Sequence, residues 1–463
     1  MPITGAFIMP HPPIILPLIG RGEEKKIHKT MTSCRIIAEK LASIKPETIV
    51  LTSPHSIMYA DYFHISPGSR AKGNFRKFGV DEDVFQINVE YDCCFISKLL
   101  DEAIKYKIPV GTKGEKDAYL DHGTTVPLTF IQEQYTDFKL VRIGLSGLPR
   151  TEHYVLGQCI AKAANASGSN VVLIASGDLS HKASPASHYG YVAEGEMFDG
   201  EITQAMSSGD FLKFLTFDES FVEKAAECGL RSFIVMAGAL DGRELKSELL
   251  SYENTFGIGY GTASFIPCGE DDDRRFLDVY VKHEDLRLRD IKAKEDEYVK
   301  LARYSIENYI KTGKIASLPE NIPEEMLARK AGVFVSLKKH GSLRGCIGTI
   351  SPMTKNVASE ILKNAVTAAT DDPRFDPVET HELPEIVYSV DVLSPAEPVK
   401  SIASLDSTRY GVIVTSGHKR GLLLPNLEGV DSPEQQIEIA LKKAGIRDDE
   451  TFGIERFEVI RHK

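Results

Sequence analysis

Cysteine is sparse in this chain: seven residues in 463, at positions 34, 93, 94, 159, 228, 268 and 346, with no Cys-x-x-Cys pair among them. That spacing excludes a zinc finger, an iron–sulfur ligand run and a disulfide framework, and leaves reduced thiols. Tryptophan is absent altogether, and no functional meaning attaches to that absence. Positive charge is in the minority. With 55 Lys and Arg against 66 Asp and Glu, the formal charge is -11, which argues against nucleic acid or an anionic membrane surface as the main partner. No apolar run is long enough to span a bilayer, and the first residues lack the basic flank and apolar core of a secretory signal, so a cytoplasmic location is expected. There is no internal repeat and no low-complexity segment.

What is present is ordinary soluble composition, 42% hydrophobic and 26% charged, on a chain long enough for two or three domains. Residues 1–267 alternate strand-like and helix-like segments, which predicts an α/β layered domain with a central mixed sheet flanked by helices. Within it, Val171-Val-Leu-Ile-Ala175 reads as a strand buried on both faces. It ends in Ser176, Gly177, Asp178, Ser180 and His181. In open α/β sheets ligands bind beyond the carboxyl ends of the strands, so Asp178 and His181 are candidate site residues.

Two other apolar runs have the same form. One breaks at Pro10-His11-Pro-Pro13 and the other at Ser53-Pro-His55. A single histidine at a strand end is ordinarily just hydrogen-bonded there; three of them predict a metal or acid/base cluster. Helical spacing covers Lys25 to Ile44, Asp92 to Tyr106 and His153 to Ala166, and Lys139 to Leu145 reads as a strand. The loop opening at Asp117 carries Asp121-His122-Gly123, where Asp121 either orients an imidazole or caps the following helix. A helix from Glu219 is expected to end at Gly229, with Glu227 and Cys228 in its last turn. A carboxylate there is disfavoured by the helix dipole, which points to a compensating positive charge, a metal ion or Arg231.

At Cys268 the composition shifts to a charged run, read as a linker over 268–284. A long amphipathic helix through Lys300 follows, with Leu301, Ala302, Tyr304, Ile306, Tyr309 and Ile310 as its apolar face. A second, smaller α+β domain is expected over 285–463. It holds a strand at Ala331–Leu337, then Ser342-Leu-Arg-Gly-Cys-Ile-Gly348 and Asp371-Asp-Pro-Arg374. Arg344, Cys346 and Arg374 are candidates for an anion-binding or thiol site, although a free cysteine such as Cys346 more often serves as a small buried hydrophobe.

The first domain resembles the LigB-like, class III extradiol ring-cleavage dioxygenase superfamily and its Memo-like relatives. The carriers are His11-Pro-Pro, Ser53-Pro-His55, Asp121-His122-Gly123 and Gly177-Asp-Leu-Ser-His181, in the family's order. The second resembles the AMMECR family through Leu343-Arg-Gly-Cys-Ile-Gly348, Asp372-Pro-Arg-Phe375 and Val392-Leu-Ser394. Together they look like the AmmeMemoRadiSam system of anaerobic bacteria and archaea, named for its association with a radical SAM protein.

The resemblance implies a set of roles. His11, His55 and a glutamate, for which Glu227 is the candidate, would form a facial triad on Fe(II) with open positions for substrate. His181 would act as acid/base on a substrate hydroxyl, supported by Asp178, and His122 would polarise an oxygen. The Memo-like branch instead places a cysteine, here Cys228, beside the histidines, with Fe(II) or Zn(II) bound. The leading expectation is an extradiol dioxygenase-like oxidoreductase for a phenolic, catechol-like or enediol-like substrate. Its rival is a metal-binding or scaffold component whose AMMECR-like domain docks a radical SAM partner. Hydrolysis at Zn(II) is a third reading. A homo-oligomer is compatible with all three.

Overall fold

The computed structural model describes residues 3–116, 119–427, 429–447 and 449–463; Asp117 and Ala118, which open the loop read before His122, lie outside the described residues. The chain divides into two compact units, Met1–His283 and Glu284–Lys463.

The first unit is built on a six-stranded sheet. Its strand order is Arg243–Glu253, Tyr260–Glu270, Ile3–Met9, Val171–Ser176, Thr48–Ser53, Lys139–Gly144. The last four are parallel, and the two C-terminal strands add an antiparallel edge. Every residue of Thr48–Ser53 and Val171–Ser176 is buried, as apolar, β-branched runs covered on both faces should be. Helix His28–Ile44 packs with His122–Gln132, while Arg150–Ser167 packs with Leu230–Ala239 and Cys93–Lys105. Local chemistry sets the ends of these helices. Asp92 accepts the Phe95 N–H and starts Cys93–Lys105, and Gly168, left-handed at φ 69, ends Arg150–Ser167.

The parallel register positions the site. Met9 pairs with Ser176, and Thr52 with Ala175, so three strands end level. His11, His55 and Asp178 each lie two residues past the final strand residues Met9, Ser53 and Ser176.

The second unit is α+β. Its strands run in the order Ser342–Gly348, Val333–Lys339, Ile386–Leu393, Gly453–His462, Tyr410–Ser416, Lys419–Leu423, with Glu397–Pro398 also on Gly453–His462. All pairings are antiparallel. Helices Glu297–Thr312 and Val357–Thr370 share one core with the first three strands, and Pro433–Ala444 covers the Tyr410–Leu423 hairpin in another.

Two expectations about the join are corrected. Residues 268–284 are not a bare linker. Cys268–Glu270 finish a strand paired with Arg243–Glu253, and Phe276 opens a helix running to Lys294. Arg274 ties this charged run to the first core by lying over Phe211 and Phe276 and donating to the Gly209 carbonyl. The expected long helix through Lys300 is two helices, Phe276–Lys294 and Glu297–Thr312. Asp296 caps the second by accepting the N–H groups of Tyr298 and Val299. On its face Leu301, Ala302 and Ile306 are buried, but Tyr304 is exposed.

Candidate metal centre

His11, His55 and Cys228 converge. Their ligand atoms lie within 4.8 Å of one another, with His11 Nε2 3.0 Å from His55 Nε2 and 3.7 Å from Cys228 Sγ. Among the described residues this is the group of histidine, cysteine and carboxylate side chains with metal-binding spacing. Exposure is graded across it: His11 is buried, Cys228 half-buried and His55 exposed, so the centre opens on the His55 side. Burial holds the His11 imidazole down at about 3, helped by the neighbouring His55. Burial lowers His55 as well, against the pull of Asp121 and Asp178. Both rings are therefore neutral near pH 7 and can offer lone pairs. Burial pushes the Cys228 thiol well up, with Asp178 and Glu227 adding to the effect, so it becomes a thiolate when a cation takes the proton's place. Two imidazole nitrogens and one sulfur suit Fe(II) or Zn(II).

Asp178 joins the strand end carrying His11 to the connection carrying Cys228. Its carboxylate accepts the His11 backbone N–H at 2.9 Å, its own N–H points to Cys228 Sγ at 3.3 Å, and its carbonyl accepts the Cys228 N–H. Burial raises its pKa, opposed first by that His11 N–H. Asp121 caps helix His122–Gln132 through the Thr124 N–H and takes the Ser53 hydroxyl at 2.6 Å. Ser53 Oγ in turn accepts the His55 N–H. The buried Arg142 guanidinium stands 3.5 Å from the Asp121 carboxylate. Gly123 is required here, because a Cβ would lie 2.5 Å from Ser53 Oγ.

Glu227 stands outside the donor group. The expected helix C-terminus at Gly229 is instead a start: Glu219–Ala225 ends at left-handed Ala226, and Gly229 is the N-cap of Leu230–Ala239. The Glu227 carboxylate accepts the Leu230 N–H at 2.6 Å. At a helix N-terminus the dipole favours a carboxylate, so the charge conflict expected from the sequence does not arise. Burial nonetheless raises its pKa, against that N–H and the charges of Arg150 and Arg231.

The two other candidate histidines stand beside the centre. His122 lies with its ring centroid 4.0 Å from that of His55 and 5.4 Å from that of His11. Burial first, then His55 and His11, hold it at about 4. His181 is near enough to act electrostatically on both His11 and His55. Its Nδ1 is 2.5 Å from the Ala226 carbonyl oxygen. A carbonyl only accepts, so Nδ1 carries the hydrogen and Nε2 is left as a base. Exposed Phe78 and Tyr189 sit edge-on to His122 and His181. Neither showed in the sequence, because Phe78 ends the single 3-10 turn Arg76–Phe78 and Tyr189 stands in a turn, both too short for periodicity. Ser176 was legible only as a strand end; its buried hydroxyl lies 2.9 Å from His11 Nδ1.

In the second unit both guanidinium groups of the expected anion-binding or thiol site have carboxylate partners. Arg344 is paired with Glu382, and Arg374 with Asp372, so these guanidinium charges are already matched by carboxylates. Cys346, half-buried, donates its N–H to Asp372 and accepts the Ser336 hydroxyl at its sulfur.

Comparison with known proteins places both units. The family described as "Catalytic LigB subunit of aromatic ring-opening dioxygenase" matches residues 5–263, and the AMMECR1 family matches residues 299–462. Protein CA_C1420 of Clostridium acetobutylicum is 42% identical over the whole of both chains. A protein of Thermotoga maritima is 54% identical over 36% of this chain and 98% of its own. Among solved structures, protein PH0010 of Pyrococcus horikoshii is 34% identical, covering 35% of this chain and 88% of its own, with a TM-score of 0.33. Protein JW3007 of Escherichia coli is 14% identical, covering 56% and 99%, with a TM-score of 0.39. The chain belongs to the LigB family through its first unit and joins to it, in the same polypeptide, an AMMECR1-family second unit.

Proposed function

We propose that the first unit is a metal-dependent oxidoreductase acting on a small phenolic or enediol-like substrate, with His11, His55 and Cys228 holding Fe(II), or Zn(II) as the alternative. The observation that carries this reading is that three neutral or ionisable donors converge while two further histidines, His122 and His181, stand beside them. When bound, the metal supplies Lewis acidity toward a chelating hydroxyl and, as iron, redox capacity.

The chain's own residues do the rest. His181, with its Nδ1 hydrogen on the Ala226 carbonyl, takes the proton of a substrate hydroxyl at Nε2. His122, held neutral by burial, donates a hydrogen bond to a substrate oxygen. Phe78 and Tyr189 offer exposed aromatic flanks to a ring entering from the open side. Asp178 fixes the backbone of His11 and Cys228.

A second reading follows from one observation: Cys228 is in the donor group and Glu227 is not. A sulfur donor in place of the carboxylate of a facial triad favours a Memo-like metal-binding component that works with a radical SAM partner and does not cleave rings.

Metal analysis of protein purified without oxygen tests both. About one iron per chain, lost in His55→Ala and Cys228→Ala but kept in Glu227→Ala, is the expected result, with catechol perturbing the metal's spectrum. A spectrum indifferent to catechol, or zinc alone, moves the conclusion to the second reading.

A further inference from the structure

Gly123 is the second residue of helix His122–Gln132. In a regular helix its carbonyl would accept the N–H of residue 127, but that residue is Pro127, which has none. The carbonyl is met instead from the neighbouring strand: Ser176 Oγ lies 2.5 Å from Gly123 O, and both atoms are buried. A carbonyl only accepts, so the single hydrogen of the Ser176 hydroxyl points there. The same oxygen lies 2.9 Å from His11 Nδ1. With its hydrogen already directed at Gly123, Ser176 can only accept from that ring.

We propose that Pro127, acting through Gly123 and Ser176, fixes the tautomer of His11 as Nδ1–H and so keeps the lone pair on Nε2, the nitrogen facing His55 and Cys228. Ser176 is thereby a positioning residue for the metal centre. The proposal rests on the reading of His11 as a ligand, but the tautomer itself is a property of the metal-free protein. It carries a corollary for the partner ring. His11 Nε2 and His55 Nε2 are 3.0 Å apart, so in the metal-free protein His55 is the donor. His55, not His11, changes tautomer when a metal binds.

The test is ¹⁵N NMR of the imidazoles in the metal-free full-length chain, with His11 assigned by its loss in His11→Gln. The expected pattern is a protonated Nδ1 and a bare Nε2 on His11; a protonated Nε2 in the wild type overturns the proposal. Ser176→Ala should mix the two tautomers and weaken metal binding by roughly 10–100-fold, the usual effect of losing a partner behind a ligating histidine; unchanged His11 signals in that variant overturn it. Should Ser176→Ala fail to fold, the wild-type pattern and Pro127→Ala carry the test. Pro127→Ala returns a helical N–H to Gly123 and should shift His11 in the same direction, and no shift there removes Pro127 from the relay. A wild type showing the expected tautomer but taking up no metal would refute the metal reading and leave the tautomer assignment standing.

Discussion

A Cβ placed on Gly177 would lie 2.1 Å from the Cα of Gly229, so the end of strand Val171–Ser176 and the start of helix Leu230–Ala239 meet backbone to backbone. That contact brings Cys228, the residue before Gly229, beside Asp178 and His11. Gly177→Ala should therefore push the thiol away from the histidines. Overpacking of this kind costs about 1–3 kcal/mol. The expected outcome is a lower melting temperature together with loss of bound metal, read by calorimetry and by metal content on the same sample. Retention of full metal content would show that the close approach is not what places Cys228.

Glu227 provides the contrasting case. Because its carboxylate accepts the Leu230 N–H, Glu227→Ala should cost about 0.5–2 kcal/mol, the usual range for a lost helix cap, while bound metal stays near wild-type levels. Denaturant titration beside metal analysis separates the two effects. Metal loss at wild-type stability would return Glu227 to the ligand set.

Acid should destabilise the first unit through His11. In the unfolded chain this imidazole takes up a proton near its ordinary 6.5, whereas in the fold it resists protonation down to about 3. The unfolded state thus binds more protons between those values, and stability falls as pH drops through that window. The slope is at most about 1.4 kcal/mol per pH unit for one such histidine. In the metal-free protein, His11→Gln should flatten the loss measured by denaturant titration between pH 6.5 and pH 4. An unchanged slope would mean that His11 is not held neutral.

In the second unit, Asp372 accepts the Cys346 N–H and the Arg374 N–H and holds the Arg374 guanidinium through two further hydrogen bonds. The Arg374 hydrogen bonds keep its carboxyl far below the usual carboxylate range. Asp372→Ala leaves a strand N–H and a guanidinium without that partner and should cost about 1–3 kcal/mol. It should also speed alkylation of Cys346 in the native protein, followed by mass spectrometry. An unchanged alkylation rate would show that the carboxylate does not order the strand around the thiol.

The sequence read well wherever the governing interaction was local. Apolar runs that stop at Pro-His or at Gly-Asp announced the level strand ends, since burial on both faces and proline punctuation act over a few residues. The choice between Glu227 and Cys228 was not legible. It depends on whether Gly229 closes one helix or opens the next, and the Leu230 N–H decides that only once the chain has folded. Arg344 and Arg374 looked free because the partner of one lies 38 residues on, at Glu382, and the Asp372 beside the other could as well have faced solvent. The role of Ser176 needed a contact 53 residues away, although the cause, a proline four places after Gly123, was in plain sight.

The short crossing from Ala226 to Gly229 sets a carboxylate and a thiol side by side on one connection, while the two imidazoles are anchored to the sheet. Hard and soft donor are thus a single chain step apart. Which of the two faces the imidazoles is set by one backbone N–H, that of Leu230, which engages the carboxylate and leaves the sulfur toward His11.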